Sequence, residues 1–527
     1  MKLRLSILAF LLSSSLFAQK HYERMEKIDV QHYEFKLELN DQNDKIRGLA
    51  TVDIKFNKDI NEFSLDLINE KDGKGMTVVT VGVNKTRIAH AHENDQLTIQ
   101  YNGKKGETKS FVIVYEGVPK TGLIIAKNKY GDRTFFGDNW PDRGRHWLPI
   151  VDHPSDKATV AWIVTAPSHY QVIGNGRLVE QTNINDDLTL THWKSDVVIP
   201  TKVMVIGAAR FAVQVVDEIQ GAPVSSWIYP QDKDKGFYDY ALALPIMDWF
   251  INHVGPYPYA KLANVQSKTQ FGGMENASNI FYSERSVTGN RTSEGLIAHE
   301  VAHQWFGNSA SEANWHHAWL SEGFATYFTN LYMEQKYGRD RFVEMVRSQR
   351  NSVIEFSKNQ LVPVVNPSVT DYMKLLNTNS YQKGGWVLHM LRKEVGDDIF
   401  WQGIKAYYKK FTLSNALTAD LQEVFEAVSG KDLGQFFKQW IFTAGQPDII
   451  VDHSFKNGVL NLLVVQNQSE TFSFPLEIDI VFSDGTKQRA VLQVNEKRQA
   501  FTIKTKEKAA HIEFDPDSWL LFEGKLN

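Results

Sequence analysis

Histidine and glutamate side chains occur in residues 299–303, HEVAH, at a spacing typical of metal sites on helices. Positions i and i+4 of a helix lie on one face, so the imidazoles of His299 and His303 can point at the same metal ion. Glu300 lies about 100° further round the helix, where it can reach a water molecule beside the metal without binding the metal itself. The pattern predicts hydrolysis assisted by a metal and a carboxylate. On this motif alone, two solvated or core-capping histidines remain an alternative.

A catalytic zinc ion usually has three protein ligands, so a third must come from elsewhere in the chain. The longer motif HExxHxxGxxH does not supply it, because Phe306 stands at its glycine position and Ser309 at its third histidine. Glu322 follows His303 after 18 residues and lies in a second helical pattern, WLSEGFATYF. An antiparallel pair of helices would bring it to the open side of the metal. We therefore predict one Zn²⁺ per chain, held by His299, His303 and Glu322.

Three regimes of composition indicate the elements that position these residues. From 19 to 212, apolar residues alternate with polar ones as in half-buried strands, which predicts an N-terminal β domain. From 213 to 445, longer helical patterns predominate and carry the metal motif. From 446 to 527, strand patterns return with hairpin turn signals, which predicts a small C-terminal β-sandwich. The predicted fold class is therefore multidomain α+β.

Particular segments carry these predictions. The alternating apolar positions of the N-terminal region are Tyr33, Phe35, Leu37, Leu39, Val52, Ile54, Phe56, Phe63, Leu65 and Leu67. The predicted helices are Glu294–Phe306, Trp319–Tyr337, Tyr381–Val395, Leu417–Gly430 and Leu433–Ala444. The predicted hairpin turns are Asn457-Gly458 and Asp484-Gly485, and the linker before the last region is Gly445-Gln446-Pro447.

The first 18 residues predict export. Lys2 and Arg4 precede an apolar run from Leu5 to Phe17, and Ala18 is a small residue suited to cleavage before Gln19. We expect a signal peptide over residues 1–18 and a periplasmic or secreted protein. An N-terminal membrane anchor is the alternative, although the apolar run is short for a span of about 20 residues. The sequence offers no other candidate for a stable membrane span.

Composition excludes several classes of function. The 527 residues carry a formal net charge of −4, so there is no basic field to attract nucleic acid. There are no cysteines, which excludes disulfides, zinc sites built on cysteine and a cysteine nucleophile. A serine hydrolase is excluded because no GxSxG elbow occurs in the sequence.

Four motifs together resemble the M1 family of zinc aminopeptidases, the group of aminopeptidase N and leukotriene A4 hydrolase. They are GGMEN at 272–276, HEVAHQWFGN at 299–308, WLSEGFATYF at 319–328 and YQKGG at 381–385. The resemblance covers most of the chain. It implies an N-terminal β domain, a thermolysin-like catalytic domain over 213–445 and a small β-sandwich. It also implies a bacterial-type exported member without the large helical C-terminal domain found in many others.

The resemblance further implies hydrolysis of the N-terminal peptide bond of peptides with a free N-terminus. Zinc would activate a water molecule, and Glu300 would act as general base. Glu275 would bind the α-amine of the substrate, and Tyr381 would donate a hydrogen bond to the oxyanion. Gly272 and Gly273 would let the peptide backbone approach, and Met274 and Asn276 complete the implied substrate-binding set. Taken alone, GGMEN is typical of a turn and Tyr381 of a packing residue.

The chain departs from the family pattern at two places. In many members an acidic residue precedes the zinc-binding glutamate and orients a zinc-bound histidine, whereas this chain has His316 and His317 in that turn. We predict that these two histidines contact a metal ligand or lie at the surface, and that they are not ligands themselves. In the N-terminal region, Trp140 stands where Gln or Glu usually contacts the α-amine, and Asn139 or Asp138 is a candidate substitute.

Two other functions remain open. The first is a thermolysin-like zinc endopeptidase, which shares the metal motif but has no use for an amine-binding carboxylate. N-acetylated peptides discriminate the two, because an aminopeptidase does not cut them. The second is a catalytically silent peptide-binding scaffold. The preference for the first residue, the physiological substrate and the oligomeric state are not predicted.

Overall fold

The computed structural model describes residues 23–526, so the predicted signal peptide lies outside the described residues. These residues form two compact units that divide between Ala209 and Arg210, except that Asn128–Tyr130 belongs to the second unit. The predicted domain boundaries at 212/213 and 445/446 stay predictions. No helix among residues 23–526 combines the length and the apolar character needed to span a bilayer.

The first unit consists mainly of strands. A short helix, α1 (Glu23–Lys27), precedes β1 (Ile28–Glu38), β2 (Ile46–Phe56), β3 (Ile60–Asp66), β4 (Gly75–Val83), β5 (Thr86–Arg87), β6 (His90–Glu93), β7 (Gln96–Gly103), β8 (Thr108–Val118), β9 (Leu123–Lys127), β10 (Arg133–Gly137), β11 (Lys157–Pro167), β12 (Gln171–Gly174), β13 (Arg177–Asn183), β14 (Leu188–Pro200) and β15 (Ile206–Ala209). They form sheets in the orders β13-β14-β11-β1-β2-β8-β4-β5, β12-β15-β10-β9 and β3-β7-β6.

The alternation predicted for this unit is confirmed. All ten apolar positions singled out between Tyr33 and Leu67 are buried. In β1, Tyr33, Phe35 and Leu37 face the core, while Lys36 and Glu38 do not. Since side chains of a strand alternate between its two faces, this pattern gives β1 one face for the core.

The second unit begins with strands and continues with helices. Its elements up to residue 437 are β16 (Ala212–Ile219), β17 (Ala222–Ile228), α2 (Lys233–Tyr240), α3 (Ala243–His253), β18 (Leu262–Ser267), β19 (Gly273–Met274), β20 (Asn279–Ser283), α4 (Glu294–Ala302), β21 (Ala310–Glu312), α5 (Trp319–Tyr337), α6 (Arg339–Asn359), α7 (Gly384–Val395), α8 (Asp397–Phe411), β22 (Ser414–Ala416), α9 (Thr418–Ser429) and α10 (Gly434–Phe437). The five-stranded sheet has the order β16-β17-β18-β20-β19, and β21 pairs with β22. The residues of GGMEN therefore lie at one edge of the five-stranded sheet.

The remaining strands of this unit follow the linker. They are β23 (Asp448–Lys456), β24 (Val459–Gln466), β25 (Phe474–Val481), β26 (Lys487–Val494), β27 (Arg498–Lys504), β28 (His511–Phe514) and β29 (Glu523–Leu526). They form two sheets, β27-β24-β23-β29 and β26-β25-β28. Asn457-Gly458 is the hairpin turn between β23 and β24, with both residues at positive φ, as predicted. The predicted α+β class is confirmed.

The helix bounds show where the sequence prediction was accurate and where it was wrong. Helix α5 has its predicted bounds, Trp319–Tyr337. Helix α4 ends at Ala302 and not at Phe306, since the N–H groups of Gln304 and Trp305 bond to carbonyls only three residues back. The chain then turns at Gly307, which has a φ of +115°. The predicted helix Tyr381–Val395 begins as a π turn, Asn379–Lys383, before α7. The last predicted helix is short, α10, and is followed by a second π turn, Lys438–Phe442.

Candidate metal centre and active site

The structure brings the three predicted metal ligands together. His299 lies in the last turn of α4, His303 caps that helix, and Glu322 lies in the first turn of α5. Nε2 of each histidine is 3.3 Å from Oε2 of Glu322. The two Nε2 atoms are 3.1 Å apart. The three atoms form a nearly equilateral triangle and could hold a metal ion.

The size of this triangle fits zinc. Zinc–ligand bonds of about 2.0–2.1 Å in tetrahedral geometry place the ligand atoms about 3.3–3.4 Å from one another. Nδ1 of His303 lies 3.1 Å from the carbonyl oxygen of Phe306, which can only accept a hydrogen bond. Nδ1 therefore carries the proton and donates it, which leaves the lone pair of Nε2 directed into the triangle.

His303 is oriented by groups that the sequence reasoning missed. Besides the Phe306 carbonyl, the hydroxyl oxygen of Ser321 lies 3.0 Å from Nδ1 of His303. Ser321 fits there because residue 307 is a glycine: a Cβ at Gly307 would lie 2.1 Å from Oγ of Ser321. The only sign of this arrangement in the sequence is the glycine of HEVAHQWFGN. Residue spacing does not reveal that this glycine lies against Ser321 of the next helix.

The two histidines found in place of an acidic residue have partners elsewhere. Nδ1 of His317 is 2.8 Å from the hydroxyl oxygen of Thr418, and Nε2 of His316 is 2.9 Å from the carbonyl oxygen of Val369. Neither histidine belongs to a potential metal cluster within the described part of the chain. Their partners identify them as groups that hold the turn before α5.

Glu300 packs against the GGMEN segment. Its side chain is buried, and a Cβ at Gly273 would lie 2.4–2.5 Å from the Cγ, Cδ and Oε1 atoms of Glu300. Gly273 is therefore required as a glycine. A Cβ at Gly272 would meet only Leu296, at 3.6 Å, so packing does not require a glycine there. Burial raises the pKa of Glu300 well above its usual range, although His303 opposes this effect.

Glu275 has the features of a site for a cation. It is 4% exposed, and its Oε1 atom is buried without a hydrogen-bond partner among the described residues. An oxygen of Glu275, an oxygen of Glu300 and a ring nitrogen of His303 lie within 4.8 Å of one another. A buried carboxylate is stable only with a compensating partner, so this position favours a cationic group.

The backbone of Glu275 is held by the zinc-motif segment. Its carbonyl oxygen accepts hydrogen bonds from Nε2 of Gln304 at 2.8 Å and from Nδ2 of Asn308 at 2.6 Å. Met274 and Asn276, the other residues predicted for substrate binding, are buried beside it. Two motifs separated in sequence are thereby fixed to each other.

Tyr381 lies in the π turn Asn379–Lys383 and faces the metal ligands. Its ring is stacked on that of His299, with 5.9 Å between centroids and 15° between planes. Burial raises the pKa of Tyr381 well above its usual range, and the carboxylate of Glu322 adds to this effect. The phenol therefore keeps its proton and can donate a hydrogen bond.

Glycines of two motifs bring Tyr381 and Glu322 close. A Cβ at Gly323 would lie 2.8 Å from the carbonyl carbon of Gly384, so α5 and α7 approach backbone to backbone at this point. A larger residue at either position would push the helices apart. The glycines of WLSEGFATYF and YQKGG thus set the distance between the predicted third ligand and the predicted tyrosine.

The candidates from the N-terminal region are engaged within the first unit. Nδ2 of Asn139 donates to the carbonyl oxygens of Thr201 and Met204, while its Oδ1 accepts from Trp147. Asp138 forms an ion pair with Arg143. Trp140 is buried. The amide of Asn139 therefore holds its own unit together, and contact of any of these three residues with an amine stays a prediction.

Comparisons with known proteins agree with this fold. Residues 29–203 match the family model of the peptidase M1 N-terminal domain, and residues 238–440 match that of the peptidase family M1 domain. A probable aminopeptidase 1 of Sulfurisphaera tokodaii is 25% identical over 494 residues, covering 88% of this chain and 59% of that protein. Glutamyl aminopeptidase of Bos taurus is 26% identical over 404 residues, covering 72% and 42%.

A solved structure shows the same fold. The crystal structure of Legionella pneumophila aminopeptidase A in complex with aspartic acid has a TM-score of 0.84 and 17% identity, covering 95% of this chain and 60% of that one. The chain thus spans 60% or less of the length of these three proteins. The two family models together match most of the chain, and the second includes all four motifs. The chain therefore belongs to peptidase family M1.

Proposed function

We propose that this protein is a zinc-dependent aminopeptidase that removes single residues from peptides with a free N-terminus. The observation that carries the proposal is the buried Oε1 atom of Glu275, which has no hydrogen-bond partner among the described residues and lies beside Glu300 and His303. The α-ammonium group of a peptide is the partner such a carboxylate lacks. An endopeptidase has no use for this group.

His299, His303 and Glu322 would hold one zinc ion, as family M1 is zinc-dependent in general. When bound, zinc would supply a Lewis acid that polarises a carbonyl group and lowers the pKa of a water molecule to about 7. Glu300 takes a proton from the attacking water and passes it to the departing amine nitrogen. Tyr381 donates its phenolic proton in a hydrogen bond to the carbonyl oxygen as negative charge develops there.

Glu275 positions the substrate. By binding the α-ammonium group, it fixes the scissile bond one residue from the N-terminus and turns binding into orientation. Gly273 leaves room for Glu300 beside this site.

Export of the protein is part of the same proposal, and it depends on residues 1–18 alone.

The experiment that tests this function compares a free peptide with its N-acetylated form. We expect release of single N-terminal residues from the free peptide only, because acetylation removes the charge that Glu275 binds. A chelator should abolish the release, and added zinc should restore it. Cleavage of the acetylated peptide at internal bonds would overturn the exopeptidase assignment. A zinc-loaded protein that cuts neither peptide would favour a silent scaffold.

The contact of Ser321 with His303 gives a prediction about metal affinity. Replacing Ser321 with alanine should weaken zinc binding by about 10- to 100-fold, as is typical for the loss of a group that orients a metal ligand. Competition with a chromogenic chelator measures the change. Ser352→Ala, at an exposed position on α6, is the matched control and should bind zinc as the wild type does. Unchanged zinc affinity in Ser321→Ala would show that the Phe306 carbonyl suffices.

A further inference from the structure

The π turn Asn379–Lys383, which carries Tyr381, is fixed by three buried polar side chains. Each donates a hydrogen bond to a backbone carbonyl of a different neighbouring segment. The pairs are Asn379 Nδ2 to Val362 at 2.8 Å, Ser380 Oγ to Leu375 at 2.5 Å and Lys383 Nζ to Gly445 at 2.6 Å. The turn is therefore bonded to three separate segments of the chain.

Among these three side chains, that of Lys383 has the largest free-energy cost of burial, because it can carry a charge. It is 1% exposed, and its ammonium group donates to the Gly445 carbonyl oxygen. Burial lowers the pKa of Lys383 to about 7. An apolar side chain of the same length would avoid this desolvation cost, so packing alone does not account for a lysine here.

The acceptor of this hydrogen bond lies at the junction with the C-terminal strands. Gly445 has a φ of +82°, a conformation that glycine adopts without strain, and β23 begins three residues later at Asp448. Lys383 thus connects the turn of Tyr381 to the start of the last β region. On its other side, the turn continues into Gly384, which packs against Gly323 of α5.

These contacts bear on catalysis because a hydrogen-bond donor must be held to within about 0.5 Å of its productive position. The ring of Tyr381 is stacked on His299, and its phenol interacts with the carboxylate of Glu322. Both contacts are made by the side chain, so neither holds the backbone of Tyr381 in place. The position of the phenol therefore depends on the turn that carries it.

We infer that Lys383, together with Asn379 and Ser380, is a positioning residue that holds the Tyr381 phenol where the oxyanion forms. This role rests on the proposed function, since it concerns the same site. It makes the junction at Gly445 part of the structure that positions Tyr381.

The test is Lys383→Met in the full-length protein, assayed with a free peptide. We expect kcat to fall by about 10- to 100-fold, as for a small misplacement of a catalytic group, with KM and zinc content unchanged. In a Tyr381→Phe background, the same substitution should lower kcat no further, because the donor is already gone. Wild-type kcat in Lys383→Met, or an equal loss in both backgrounds, would overturn the inference.

Controls separate positioning from stability and from the proposed function. Leu391→Ala removes a buried side chain from α7, so it should lower Tm and leave kcat unchanged; a loss of kcat in proportion to Tm in both variants would overturn the inference. If Lys383→Met does not fold, Ser380→Ala takes its place, with the same expected fall in kcat alone and the same overturning result. A wild-type protein without aminopeptidase activity would instead contradict the proposed function.

Discussion

Replacing Glu300 with glutamine is expected to lower kcat by about 10²- to 10⁴-fold, the range typical of a positioned acid–base group. The amide has nearly the shape of the carboxylate and can keep its contact with Gly273, but it cannot take a proton from the attacking water. His299, His303 and Glu322 are unchanged, so one zinc ion should remain bound per chain. Initial rates on a free peptide and elemental analysis of the purified protein measure the two quantities.

The control for this substitution is a glutamate of the same second unit. Glu344 lies on α6 with its side chain 69% exposed. Glu344→Gln therefore makes the same chemical change at a position in contact with solvent. It should keep wild-type kcat. Full turnover in Glu300→Gln would rule out its role as general base. A loss of zinc in that variant would instead mean that Glu300 supports the metal and not the proton transfer.

The metal cluster was predictable because its geometry follows from local periodicity. The i and i+4 positions of one helix place His299 and His303 on the same face, independently of the tertiary structure. Glu322 was predictable because the second helical pattern is strong, and α5 has the predicted bounds. The strands of the first unit were predictable for the same reason, since alternation assigns each residue to a face.

The groups that orient these residues were not predictable. Ser321 of α5 contacts His303 at the end of α4. His317 contacts Thr418, which is about a hundred residues away in the chain. Such contacts depend on packing between elements and leave no periodic signal. The sequence showed that the acidic orienting residue of many family members is missing from this chain, but not what replaces it; in the structure a backbone carbonyl and a hydroxyl group contact His303.

The π turn before α7 shows a second limit of sequence reasoning. The sequence indicates one helix from Tyr381, because its apolar residues recur at helical spacing. The structure has a wider turn there, held by buried side chains that bond to distant carbonyls. Tertiary hydrogen bonds therefore override local propensity at the point where Tyr381 must face His299. Wider turns of this kind are frequent at functional sites.

Replacing Glu275 with glutamine should lower kcat/KM for peptides with a free N-terminus by about 10²- to 10³-fold. This corresponds to about 3–4 kcal/mol, in the range expected for removing one partner from a buried ion pair. The amide can stay within the same packing, because the hydrogen bonds from Gln304 and Asn308 go to the backbone carbonyl and not to the side chain. The measurement is steady-state kinetics on an aminoacyl peptide.

A substrate without the α-amine separates this role from a general loss of activity. The wild type should strongly prefer the aminoacyl peptide over its des-amino analogue, because only the former carries the charge that Glu275 binds. In Glu275→Gln the two substrates should be cut at similar, low rates, since neither gains an ionic contact. If the variant kept the wild-type preference, the α-amine would have to be bound by another group, and the unpartnered Oε1 atom of Glu275 would need a different explanation.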